Sequence, residues 1–110
     1  MSLDVYLECP CCKIEVYSAN ITHNVNEIAK KAGVYMHLWR PDEMEPPITL
    51  ASELVAPLES AVKYLGDNFY NLMAMEPKNG WGTVGGLQEF VVLYLNACRE
   101  FPNAKVRVSR

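Results

Sequence analysis

Period-two alternation is confined to the two ends of this chain, and helical periodicity fills the middle. Near the start, Leu3-Asp4-Val5-Tyr6-Leu7-Glu8 and Lys13-Ile14-Glu15-Val16-Tyr17 alternate apolar with polar residues, the spacing of a half-buried strand. The intervening Cys9-Pro10-Cys11-Cys12 is short enough to connect them as a hairpin. Near the end, Lys105-Val106-Arg107-Val108-Ser109 alternates in the same way. Between these stretches the apolar residues recur at helical spacing: Val25, Ile28, Ala29 and Ala32, then Leu54, Val55, Leu58, Ala61, Val62 and Leu65, then Leu87, Phe90, Val91, Tyr94, Leu95, Cys98 and Phe101. The pattern predicts one α+β domain over residues 1–110, in the order ββαααβ. Its helices pack on one face of a small, mostly antiparallel three-stranded sheet.

Local signals set the expected boundaries. Asn24 reads as the cap of the first helix, with Glu27 completing a capping-box pair and Gly33 stopping the helix. Val34 to Trp39 continues as a short helical or irregular segment, and three prolines make Arg40–Pro47 a loop. Thr49 opens the second helix, Pro57 predicts a kink or a late start, and Gly66 ends it. Asp67 reads as the cap of a short helix holding Phe69, Leu72 and Met73, and Thr83 as the cap of the last helix.

Half of the 110 residues are hydrophobic, enough for one core without help from metal or disulfides. A net charge of −3 argues against bulk nucleic-acid binding, which calls for a basic surface. No apolar run approaches the ~20 residues that span a bilayer, and the first residues lack the pattern of a signal peptide, so no membrane association and a cytoplasmic location are expected. In that compartment Cys9, Cys11, Cys12 and Cys98 stay reduced.

Two polar blocks stand out. In Asn20-Ile21-Thr22-His23-Asn24, four of five residues carry hydrogen-bonding side chains, at what reads as a strand-to-helix junction. Asn24 is spoken for as a cap, whereas His23, a donor, acceptor or acid–base group near neutral pH, has no structural task. In Asn79-Gly80-Trp81-Gly82 a turn accounts for every residue but Trp81, a flat stacking surface or a plug over the core. The glycine-rich helix start that follows, Thr83-Val84-Gly85-Gly86, offers N–H groups to a phosphate or carboxylate. Trp39 and Arg40 could add a second stacking ring and a guanidinium. The expected ligand-binding set is therefore Asn20, Thr22, His23, Asn24, Trp39, Arg40, Asn79, Gly80, Trp81 and Gly82. No catalytic signature is present, so no catalytic residue is assigned. Cys9 and Cys12 form a C-x-x-C, half of a zinc knuckle without a second pair; structural zinc is the one cofactor the sequence leaves room for, completed by His23, His37 or a second chain. Lys105, Arg107 and Arg110 read as a solvated or edge-protecting basic face.

The opening Met1-Ser2-Leu3-Asp4-Val5-Tyr6-Leu7, the block Tyr17–Asn24, the Leu38-Trp39-Arg40-Pro41 corner, Asn79–Gly82 and the ending Val106–Arg110 together resemble a group of small bacteriophage and prophage proteins. The resemblance covers nearly the whole chain and implies a setting, the cytosol of a host cell, rather than a mechanism. In that setting the expected function is non-enzymatic binding of a small polar ligand, such as sequestration of a nucleotide immune signal in a homo-oligomer. The alternatives are an interaction module that inhibits a host defence protein, and a small hydrolase acting on a nucleotide signal with His23 as acid or base.

Overall fold

The computed structural model describes residues 2–110; Met1, the first residue of the opening block, lies outside the described residues. The sheet consists of β1 (Ser2–Glu8), β2 (Glu15–Thr22) and β3 (Lys105–Ser109) in the spatial order β2-β1-β3, with both pairings antiparallel. β1 is thus the central strand. Leu3, Val5 and Leu7 are fully buried on its inner face, beside Ile21, Ala19 and Tyr17 of β2 and Val108 and Val106 of β3. The outer face pairs Ser2, Asp4 and Tyr6 with Thr22, Asn20 and Ser18, and Asp4, Tyr6 and Glu8 with Ser109, Arg107 and Lys105. One face is apolar and the other polar, so the helices have a single face to cover.

They do so as α1 (Asn26–Lys31), α2 (Tyr35–Trp39), α3 (Val55–Asp67), α4 (Phe69–Met73) and α5 (Val84–Glu100), with 3-10 turns at His23–Val25, Pro41–Glu43 and Ala51–Leu54. The expected α+β architecture is present, and the short segments expected around Val34–Trp39 and Phe69–Met73 are the helices α2 and α4. α5 packs on β2 and α3 through Leu87, Phe90, Val91, Tyr94 and Leu95. The buried Tyr94 ring stacks on Tyr17 with centroids 5.9 Å apart and planes 9° from parallel, joining the helical layer to the sheet.

Several boundaries differ from the sequence reading. β2 runs to Thr22, because Ala19 and Ile21 keep the inner-face alternation through the polar Ser18, Asn20 and Thr22. Asn20–Thr22 is therefore strand rather than junction. Thr22, not Asn24, caps the turn, its hydroxyl accepting from the Asn24 N–H at 3.2 Å. Glu27 pairs with Lys30 instead of closing a capping box. Gly33 does stop α1, at φ +75°. Gly66 stays helical, and α3 runs on to Asp67, where it is capped by Asn68, whose side-chain amide donates to the Tyr64 carbonyl at 3.0 Å. Asp67 accepts from Lys63 rather than capping α4. Pro57 lies in the first turn of α3, where its missing N–H has no helical acceptor to forgo, which makes the late start the correct reading. Thr83 caps α5 as expected, accepting from the Gly86 N–H at 2.9 Å.

The outer edge of β3 is covered by the segment before α3. The Val106 N–H donates to the Thr49 carbonyl, the Ala51 N–H to Ala104 and the Ser52 N–H to Pro102, each at 2.9 Å. The Glu53 carboxylate holds that segment by accepting from the N–H groups of Leu50 (2.8 Å) and Thr49 (3.0 Å), and these bonds lower its pKa. β2 is the other edge strand of the sheet. In denaturant unfolding, Leu58→Ala, which empties a fully buried position on α3, should cost about 2–5 kcal/mol. Leu93→Ala, at a half-exposed position on α5, should stay within about 0.5 kcal/mol of wild type.

Candidate functional site

Antiparallel pairing places the first residue of β1 beside the last of β2, so Ser2 lies opposite Thr22. Next along the ladder, the Asn20 amide donates to the Ser2 hydroxyl and to the Asp4 carboxylate, both at 2.8 Å. At this end of the sheet the chain leaves β2 through the His23–Val25 turn.

The connection from α4 to α5 closes over the same end. Asn79 accepts from the Trp81 N–H through its side-chain oxygen at 2.9 Å, and Gly80 takes φ +77°. Gly82 takes φ +114° and lies so close to the turn that a Cβ there would stand 2.8 Å from Val25 Cγ1 and 3.1 Å from Thr22 Cγ2. Only glycine fits both the dihedral and the space. The result is an open cleft of about 640 Å³ lined by Ser2, Asn20, Thr22, His23, Asn24 and Trp81. The two polar blocks, remote in sequence, thus border one cleft, the second through Trp81. Trp81 is 71% exposed at its edge, so the ring does not plug the core.

The other expected members have different tasks. His23 borders the cleft and also braces it: its Nδ1 accepts from the Trp39 indole N–H at 2.8 Å. That bond assigns the remaining ring proton to Nε2, which is buried without a hydrogen-bond partner among the described residues. Trp39 is only 2% exposed and stacks on Tyr35 with centroids 5.4 Å apart, so it is core and not a ligand wall. Arg40 lies outside the cleft, donating to Glu43 at 2.6 Å and to the Tyr35 hydroxyl at 3.4 Å. Glu43 and Asp42 also accept from Arg110, which reaches the Trp39 carbonyl at 3.1 Å. Asn79, Gly80 and Gly82 shape the loop without lining the cleft.

The glycine-rich start of α5 is also committed. The Glu76 carboxylate accepts from the Val84 N–H at 2.8 Å, placing a negative charge where the helix dipole favours one, and Thr83 takes the Gly86 N–H. No lysine or arginine is among the six cleft residues. The site therefore offers hydrogen bonds and an aromatic face, without a cation for a phosphate. Sequence reasoning missed Ser2 and Glu76. Ser2 is visible only once the strand register is known, and Glu76 only once the loop is closed.

The cysteines separate into two environments. Cys98 is buried among Tyr17, Tyr94 and the α5 face, and burial pushes its thiol pKa up to about 12. Cys9, Cys11 and Cys12 cluster at the β1–β2 turn with their sulfurs within 4.8 Å of one another. Hydrogen bonds from Cys11 and Cys12 lower the Cys9 pKa to about 6, and sharing with Cys9 raises that of Cys11. His23 cannot complete a metal site with them, because it follows the far end of β2, roughly 25 Å away along an eight-residue strand. His37 and Cys98 are likewise outside the cluster. On the basic face, Lys105 is exposed, and Arg107 lies 4.0 Å from the Tyr6 ring centroid and donates to Glu8 at 2.9 Å.

His23→Ala should destabilise the protein by about 1–3 kcal/mol in urea unfolding, since it strands the buried Trp39 N–H. Trp81→Ala should change stability by less than about 0.5 kcal/mol in the same assay. No known protein family, curated protein or solved structure matches the chain significantly, so the assignment of a site rests on this geometry.

Proposed function

We propose that the protein is a non-enzymatic binder of a small, planar, polar ligand of the nucleoside or nucleotide class, held in the cleft between the Thr22–Asn24 turn and Trp81. The observation that carries this reading is the exposed Trp81 ring beside a concentration of hydrogen-bonding side chains. A base can stack on an indole at about 1–3 kcal/mol while its edge bonds to amide and hydroxyl groups. The lack of a cationic lining residue supports recognition of the base end, with any phosphates left towards solvent. Binding without turnover accords with His23, whose Nδ1 is engaged by Trp39 and whose Nε2 is withdrawn from solvent. In the phage setting that the sequence resemblance implies, such a protein would sequester a nucleotide signal. An open cleft would enclose more of a dinucleotide if two copies faced each other across it, which is the basis for proposing a homo-oligomer.

The test is titration with nucleosides, mononucleotides and cyclic dinucleotides, followed by calorimetry and by tryptophan emission, to which the exposed Trp81 should contribute most of the change. Trp81→Ala should weaken binding about 10-fold or more, with Asn20→Ala also impaired and the ligand recovered intact. Equal affinity of wild type and Trp81→Ala, or no binding across the panel, would refute the proposal.

A second reading has its own observation. Tyr70, Met73 and Met75 are exposed in the chain just before the Trp81 loop, and Tyr70 is 86% accessible. Exposed aromatic and methionine side chains are common at protein-binding surfaces. Near the Pro41 corner, Met36 is exposed as well, whereas Trp39 is buried and Met44 is partly covered. If a host protein is the partner, Tyr70→Ala should reduce its one-to-one capture at least about 10-fold, whereas the ligand reading predicts unchanged nucleotide binding by that variant.

A further inference from the structure

The β1–β2 turn gathers three thiols on a backbone that is already fixed. The Cys9 N–H donates to the Ile14 carbonyl and the Lys13 N–H to the Cys9 carbonyl, both at 2.8 Å, and Lys13 takes φ +59° to close the turn. Pro10-Cys11-Cys12 is thereby curled back over Cys9. The Cys9 and Cys11 sulfurs are 3.1 Å apart, and all three sulfurs lie within 4.8 Å of one another. Cys11 and Cys12 are exposed and Cys9 is partly so. Packing does not account for them, since a cysteine that serves as a small hydrophobe is normally buried, as Cys98 is.

A metal–sulfur bond of about 2.3 Å places the sulfurs of a thiolate site roughly 3.8–4.0 Å apart. That separation lies inside the observed spread, so small side-chain rotations within the turn carry all three onto one ion. Among the described residues no fourth histidine, cysteine, aspartate or glutamate joins the group. A closed four-ligand structural zinc within one chain is therefore not the fit; three thiolates with one open position are.

We propose that Cys9, Cys11 and Cys12 form a three-thiolate site for a soft, closed-shell metal ion of the zinc(II) or copper(I) class. Thiolates favour both ions over harder cations. Loading forms three metal–sulfur bonds and releases the thiol protons to solvent, with no change of oxidation state. Zinc(II) would take a water molecule as its fourth ligand, and copper(I) is satisfied by the three sulfurs. The site is independent of the ligand cleft, which lies at the opposite end of β2.

The whole protein, fully reduced and kept anaerobic, is titrated separately with zinc(II) and with copper(I) against competing chelators, and stoichiometry is read by native mass spectrometry. One ion per chain of at least one class is expected. Loss of a group that merely supports a ligand costs about 10–100-fold in affinity, so loss of a direct ligand in Cys9→Ser, Cys11→Ser or Cys12→Ser should cost about 100-fold or more. Cys98→Ala should bind as wild type. Circular dichroism checks that the turn variants keep the fold, as an exposed turn allows. Wild-type affinity in Cys11→Ser would reduce the site to two ligands and overturn the proposal. One ion per two chains would show a site shared between copies, and retention of neither ion would show no site; either result also overturns it.

Discussion

The rest of the molecule depends on the double pairing of β1. Leu3, Val5 and Leu7 are fully buried only because β2 and β3 flank the strand and the helical layer covers its inner face. Its alternate residues carry the polar outer face. A slip of one residue in either pairing would exchange those faces, so the hydrophobic pattern strongly specifies the register. Everything at the ends of the sheet follows from that register. At one end Ser2 meets Thr22 and the Asn20 amide bridges Ser2 and Asp4. At the other, the chain turns within a few residues and draws three cysteines together.

The cleft end is braced from beneath. The Trp39–His23 hydrogen bond ties α2 to the turn after β2, and the stack on Tyr35 fixes the indole. Arg110, just beyond β3, reaches the Trp39 carbonyl and the carboxylates of Asp42 and Glu43, so the chain's last residue also supports this corner. Gly82 lets the α4–α5 connection rest directly on Val25 and Thr22. These contacts set the path of the loop that carries the exposed Trp81.

The parts of the fold legible in sequence were those with strong periodicity or unambiguous local chemistry. The three strands, the α5 stripe, the Thr83 cap, the Gly33 stop and the late start imposed by Pro57 all follow from such signals. The end of β2 was not legible in this way, because Ser18, Asn20 and Thr22 look like loop residues until Ala19 and Ile21 are seen to occupy the inner face. Asparagine is a good cap, which makes Asn24 the local candidate. Thr22 took that place because the strand delivers its hydroxyl to the Asn24 N–H. The task of His23 is not legible locally, because its partner Trp39 lies 16 residues further on.

By itself, the sequence determined the class of fold, the single apolar face of the sheet, and the two polar blocks that border the cleft. These properties reside in side-chain type and short-range spacing, which the chain carries before it folds. Only the tertiary structure decided that the two blocks meet, that His23 and Trp39 serve each other, that Arg40 and the α5 start are neutralised by carboxylates, and that Cys11 joins Cys9 and Cys12. Each of those outcomes depends on which groups the folded chain brings within reach of one another. Such partnerships are set by strand register and loop closure, which no local spacing encodes.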